Sequence, residues 1–253
     1  MLDSLKVALQ FLTRIPVELP EQVSERVQGR ALLWYPVVGV LYGVLLVSLG
    51  IIFNHLLPMG LSVTESFVVS GLVLLVWVLL SGALHLDGLG DSADAWLGGG
   101  NDPERTLGIM KDVHAGTGAL VAVFLVLMLK LLALLHLLLN EHYIALFLAP
   151  ILARSSMLLL FATTPYVRKG GLGSLFLTHC RPRELWLVVA MVVVAVILFF
   201  KLKGMVLLLS ALLMFYVCRR LMLKRIGGAT GDTAGALLEV MELSVLMAGV
   251  FLP

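Results

Sequence analysis

Charge is what this sequence has least of. Only 13% of the 253 residues are Asp, Glu, Lys or Arg, while 60% are hydrophobic and the mean hydropathy is +1.04. Soluble domains run at roughly 25% charged and about 45–50% apolar residues. A water-borne globular fold is therefore excluded, and an integral membrane protein is expected. Cysteine is nearly absent too: Cys180 and Cys218 stand far apart and match no metal or redox spacing, which leaves ordinary thiols. Basic runs interleaved with aromatics are missing, and a net charge of +2 is too small to argue for a nucleic-acid partner. With no linker, low-complexity tract or internal repeat, residues 1–253 are expected to form one membrane-embedded domain. A cleavable leader is not expected, because Asp3, Lys6 and Arg14 interrupt the apolar start and no small-residue cleavage site follows.

What the chain does have is a succession of apolar runs. Leu5, Leu9 and Leu12 share one helical face, with Lys6, Gln10 and Thr13 elsewhere, the pattern of a helix lying on a membrane surface. Pro16 and Pro20 end it, and the interfacial segment extends to about residue 30. Candidate spans follow at about 31–53, 62–84, 118–139, 144–162, 185–200, 205–217 and 234–252; the longer ones suit a hydrocarbon core of ~30 Å at ~1.5 Å per residue. The fold class expected is an all-α polytopic bundle of about seven spans. With the amino terminus inside, only Lys201 and Lys203 of the loop cations fall outside, as the retention of Lys and Arg in cytoplasmic loops requires. The expectation is a protein of the cytoplasmic membrane in contact with lipid, its carboxyl terminus outside and its polar segments 85–117, 163–184 and 218–234 inside. Gly39, Gly43 and Gly50 are compatible with close helix contacts and with a homo-oligomer.

The polar residues are gathered rather than scattered. The stretch from His85 to Gly118, HLDGLGDSADAWLGGGNDPERTLGIMKDVHAGTG, follows the second span directly. Asp87, Asp91 and Asp94 stand at i, i+4 and i+7, one face of a helix. Carboxylates so close would repel and raise one another's pKa. A divalent cation removes that conflict, and hard oxygen donors without Cys or clustered His favour Mg²⁺ over zinc.

A second cluster, Gly227 to Gly235, is a Gly-rich turn opening a helix, where free N–H groups can meet a phosphate. Asp232, Gly235, Glu239 and Glu242 continue it as one helical stripe. Glutamates inside a span require a wet site or a cation. Arg154, beside Ser155 and Ser156 in the fourth span, suits a phosphate better than lipid; Lys130 either snorkels or pairs with Glu141.

Together these motifs resemble the cobalamin synthase family. The residues that carry the resemblance are His85-Leu86-Asp87-Gly88-Leu89-Gly90-Asp91-Ser92-Ala93-Asp94, Met110-Lys111-Asp112 with Gly116-Thr117, Gly171-Leu172-Gly173, and Gly228-Ala229-Thr230-Gly231-Asp232-Thr233 with Glu239. Thr13-Arg14-Ile15-Pro16 and Arg154 also fit, so the likeness runs nearly end to end. His114 departs from the pattern, which more often has Arg there. The resemblance implies a Mg²⁺-dependent membrane transferase that joins adenosylcobinamide-GDP to α-ribazole or its 5′-phosphate and releases GMP. On that basis Asp87, Asp91, Asp94 and Asp232 are expected to hold Mg²⁺, with Asp94, then Asp112, as candidate base. Arg14, Lys111, Arg154, Arg168 and Lys169 are expected to offset phosphate charge. His85, His114, Thr117, Thr230, Thr233 and Glu239 complete the expected substrate contacts.

Two alternatives stand beside this. A CDP-alcohol phosphatidyltransferase also uses an acidic Asp-Gly motif, but it expects Ala-Arg where this chain has Asp91-Ser92. A cation-coupled transporter would use Asp87, Asp91 and Glu239 as ion ligands, and would more naturally bury its site at mid-depth.

Overall fold

A computed structural model describes residues 2–20, 22–56, 62–168 and 172–252, and among these the fold is helical apart from one isolated bridge between Tyr166 and Ala229. The helices are α1 (Leu2–Leu12), α2 (Glu25–Gly29), α3 (Tyr35–Leu56), α4 (Val63–Ser81), α5 (Leu84–Gly98), α6 (Pro103–Ile109), α7 (Thr117–Leu139), α8 (Tyr143–Thr163), α9 (Leu172–His179), α10 (Pro182–Ile226) and α11 (Gly231–Val250), with a 3-10 turn, Arg30–Trp34, joining α2 to α3. Among the described residues, six helices are long and apolar enough to cross a membrane.

Six helices supply the seven expected crossings because α10 counts twice. Its 45 residues would reach about 68 Å if straight, more than double a hydrocarbon core. Lys201, with φ 48° and ψ −129°, breaks it. A Cβ on Gly204 would lie 2.7 Å from the carbonyl oxygen of Val196, whereas eight residues of continuous helix would separate the two by about 12 Å. The halves therefore fold back on each other as a hairpin, at the Lys201–Gly204 break read from the sequence.

α8 is the axis of the bundle. It packs against α3, α10 and α11, and most of its residues from Ala145 to Phe161 are buried. Gly39 and Gly43 let α3 come close: a Cβ at these positions would stand 2.7 Å from the Pro150 carbonyl oxygen and 2.5 Å from that of Phe147. 

All three polar segments lie at one end of the bundle. Gly82 and Ala83, both left-handed (φ 63° and 59°), turn the chain out of α4 into α5. The Arg14 N–H donates to the Leu80 carbonyl at 2.7 Å, so the residue after α1 meets that turn. Val167 N–H donates to the Ala229 carbonyl at 3.0 Å, and Ala229 N–H donates to Pro165 at 2.8 Å, tying the α8–α9 loop to the turn before α11. Arg225 donates to the Gly100 carbonyl. The opposite end is marked by Asn54, which donates to Glu141 at 3.0 Å, and by the Lys203 side of the hairpin, grouped with Glu141 to Tyr143.

α1 forms as the amphipathic helix that the sequence predicts. It packs on the bundle through Ser4, Val7, Ala8 and Leu12, with Leu5 and Leu9 half-buried beside them. The Tyr42 hydroxyl donates to the Leu12 carbonyl at 2.7 Å and holds the helix end down. Leu12 of the leucine stripe is buried and Leu5 and Leu9 pack against the core, while the small side chains of Ser4 and Ala8 let the helix approach closely.

Candidate active site

The site forms where α5 and α11 cross. Gly88 makes the crossing possible: a Cβ there would sit 2.7 Å from the Asp232 carbonyl oxygen. The contact brings Asp87, exposed on α5, and Asp232, at the start of α11, onto the wall of one cavity of about 470 Å³. Asp91 follows one turn later on α5, and its carboxyl is raised to about 6, by partial burial first and then by Asp87, Asp232 and Asp94. Arg168 reaches in from the loop after α8 and donates to the Asp232 carboxylate at 3.2 Å. Two carboxylates and one arginine thus line the cavity, with Asp91 close enough to feel both acids.

The opposite wall is apolar. Phe11, Met157, Phe161, Tyr166 and Phe176 line it, contributed by α1, α8, the following loop and α9. Sequence reasoning passed over these residues; the available signal was the repeated placement of aromatics at the ends of apolar runs that meet the polar segments. His85 also lines the cavity. It is buried, its Nε2 has no partner, and burial followed by Arg154 pushes its pKa down to about 3, so it is neutral.

Several expected site residues have other occupations. Both oxygens of Asp94 accept backbone N–H groups, from Gly116 at 2.6 Å and Ala119 at 2.9 Å, so Asp94 caps α7. Thr230 and Thr233 are buried and satisfy each other as the cap of α11: Thr230 N–H donates to Thr233 Oγ1 at 2.9 Å, and Thr233 N–H donates to Thr230 Oγ1 at 3.2 Å. Expected to touch substrate, they instead fix the helix that carries Asp232.

Arg154 and Glu239 require a larger correction. Arg154 is 0% exposed, donates to Glu242 at 2.8 Å and stacks 3.9 Å from the Tyr42 ring centroid. Lys130 donates to both Glu239 and Glu242 at 2.6 Å. Two cations and two carboxylates form a sealed neutral cluster below the cavity, and neither Arg154 nor Glu239 lines its wall. Lys130 pairs with these glutamates rather than with Glu141, because α7 and α11 are neighbours in the bundle.

Lys111, Asp112, His114 and Thr117 are exposed and lie outside the cavity wall. His114 Nδ1 and Asp112 Oδ1 stand 2.7 Å apart, which holds Asp112 below the usual carboxylate range. Arg14 is exposed, its guanidinium reaching the Gly82 carbonyl at 3.4 Å. Lys169 falls outside the described residues. Among the described residues, no three of His, Cys, Asp and Glu stand close enough together to hold a metal ion. The all-oxygen character of Asp87, Asp91 and Asp232 fits a hard cation, but these side chains would have to draw together around it.

Comparison with known proteins decides the family. The family model for cobalamin-5-phosphate synthase matches residues 4–250. The chain belongs to that family. Curated relatives named adenosylcobinamide-GDP ribazoletransferase include those of Pseudomonas paraeruginosa, 50% identical over 247 residues and covering 98% of this chain and 97% of the relative; Ectopseudomonas mendocina, 49% over 244 residues, 96% of each; and Pseudomonas fluorescens, 48% over 241 residues, 95% and 96%. No solved structure matches. Membership in the cobalamin-5-phosphate synthase family makes the protein a transferase of cobalamin synthesis, in place of the phosphatidyltransferase and transporter alternatives.

Proposed function

We propose that this protein joins adenosylcobinamide-GDP to α-ribazole, or to its 5′-phosphate, and releases GMP, in a Mg²⁺-dependent reaction at a mouth facing the cytoplasm. The observation that carries the reading is the meeting of Asp87, Asp232 and Arg168, with Asp91 beside them, on the wall of a cavity that is otherwise lined by aromatic residues. A diphosphate needs its charge neutralised and its reacting atoms held in line; a ribazole carries a flat apolar base that favours aromatic walls.

In this scheme a ribazole hydroxyl oxygen bonds to the phosphorus on the cobinamide side, the bridging P–O bond breaks, and GMP leaves. Mg²⁺, held by Asp87 and Asp232, would supply charge neutralisation at the diphosphate. Arg168 would give a further positive charge from the cavity wall. The attacking hydroxyl's proton goes to Asp91, whose pKa, raised to about 6 by partial burial and the neighbouring acids, suits a base near neutral pH. Asp94, engaged by two backbone donors, is the weaker candidate for that role. The base of the acceptor rests among Phe11, Phe161 and Phe176, while its ribose faces Asp87 and Asp232.

Replacing Asp87 by Asn tests the proposal. GMP release in detergent should fall by at least a hundredfold, with membrane insertion and helical content unchanged. Undiminished turnover would refute the metal assignment.

A further inference from the structure

A second cavity, of about 920 Å³, shares no lining residue with the first. It is a groove between α3 and the first half of α10, floored by Phe147 and Ile151 of α8. Its walls from Val37 on α3 and Val188 on α10 down to Phe199 are apolar, and among the described residues its only ionic groups are Arg26 and Arg30, with Trp34 beside them. These arginines sit at the end of the bundle that carries the polar segments, since Arg30 donates at 3.0 Å to Glu184 in the first turn of α10. Arg26 is exposed and has no carboxylate partner among the described residues. From Val188 to Phe199 the apolar wall is twelve residues long, about 17 Å of helix and close to the depth of one leaflet.

We propose that this groove binds an anionic glycerophospholipid from the leaflet on the polar-segment side, its phosphate against Arg26 and Arg30 and its acyl chains along α10. Cations at one end of an apolar channel one leaflet deep match that molecule in charge, polarity and length. The packing explains why a lipid is needed there. In the first half of α10 only Leu185 and Val196 are buried, so protein contacts alone leave this helix poorly covered. A twofold contact with a second copy is less suited, because it would oppose like charges and the nearest carboxylate, Glu184, is already paired with Arg30.

The test uses the full chain in nanodiscs and in detergent, titrated with phosphatidylglycerol or with phosphatidylcholine. Phosphatidylglycerol should raise the melting temperature and remain bound through native mass spectrometry; phosphatidylcholine should bind more weakly. Arg26→Gln should weaken phosphatidylglycerol binding about fivefold, the effect of one surface arginine. Ala195→Phe, which fills the groove and leaves both arginines in place, should abolish retention, whereas Lys224→Gln should change nothing. Equal response to the two lipids, unchanged selectivity in Arg26→Gln, or a dimer that forms without lipid and is broken by Ala195→Phe would overturn the proposal. None of these outcomes depends on the transferase reaction, so its failure and that of the proposed function are separable.

Discussion

Asp91 shows how one carboxylate can report on its whole neighbourhood. Its pKa is about 6 in the folded protein against an ordinary 3.8. The folded state therefore holds the proton more tightly, and the associated stability is present below about 3.8 and lost as pH rises through 6. In metal-free protein, thermal stability should decline across that window, and Asp91→Asn should flatten the decline; equal slopes in both proteins would contradict the crowding of Asp87, Asp91 and Asp232. Asp94 should behave differently. Asp94→Ala removes two bonds at the start of α7 and should cost about 1 kcal/mol in unfolding measurements. Sequence spacing placed these acids on one helix, and the structure agrees, but spacing could not assign their partners. Asp94 faces the start of α7, more than twenty residues later, and only the folded crossing reveals that.

At the scale of elements, the buried cluster of Lys130, Arg154, Glu239 and Glu242 links α7, α8 and α11. Removing one member leaves an uncompensated charge, at a cost of about 3–5 kcal/mol. Glu242→Gln, which leaves Arg154 unmatched, should be among the most destabilising single changes in the bundle. Lys130→Met should be destabilising alone and partly rescued by adding Glu239→Gln, because the pair then loses one charge of each sign; denaturation of the four proteins in mixed micelles checks the order. Failure of the rescue would show that the charges act independently. Each of these side chains was conspicuous in the sequence as an ionisable group inside an apolar run. Their mutual pairing was hidden, because it depends on the order of helices around α8, which periodicity does not encode. The same limit explains α1, whose leucine stripe was plain to see while its close approach through Ser4 and Ala8 was not. It also explains the aromatic wall, assembled from α1, α8, α9 and a loop.

For the whole molecule, seven crossings place the Lys201–Gly204 hairpin and the polar segments at opposite ends. The hydropathy pattern made both visible, since the hairpin is a short polar interruption in a long apolar run. The proposed function puts the polar end on the cytoplasmic side, the side that the bias of Lys and Arg towards that end favours. Single cysteines at Lys203 and at Lys111, in a protein whose Cys180 and Cys218 are replaced by Ala, should therefore label from opposite faces of sealed vesicles, Lys203→Cys from the periplasmic face. Labelling of both from one face would break the seven-crossing topology.

The neutral cluster beneath the cavity has one more bearing. A pit cut deep into a bilayer from one side invites ions to leak through the remaining wall. Glu239 and Glu242 lie about 11 and 15 Å along α11 from Asp232, and with Lys130 and Arg154 they fill that wall with fixed, mutually cancelling charge. The same four side chains that hold the helices together thus fill the space beneath the cavity with charges already matched to one another.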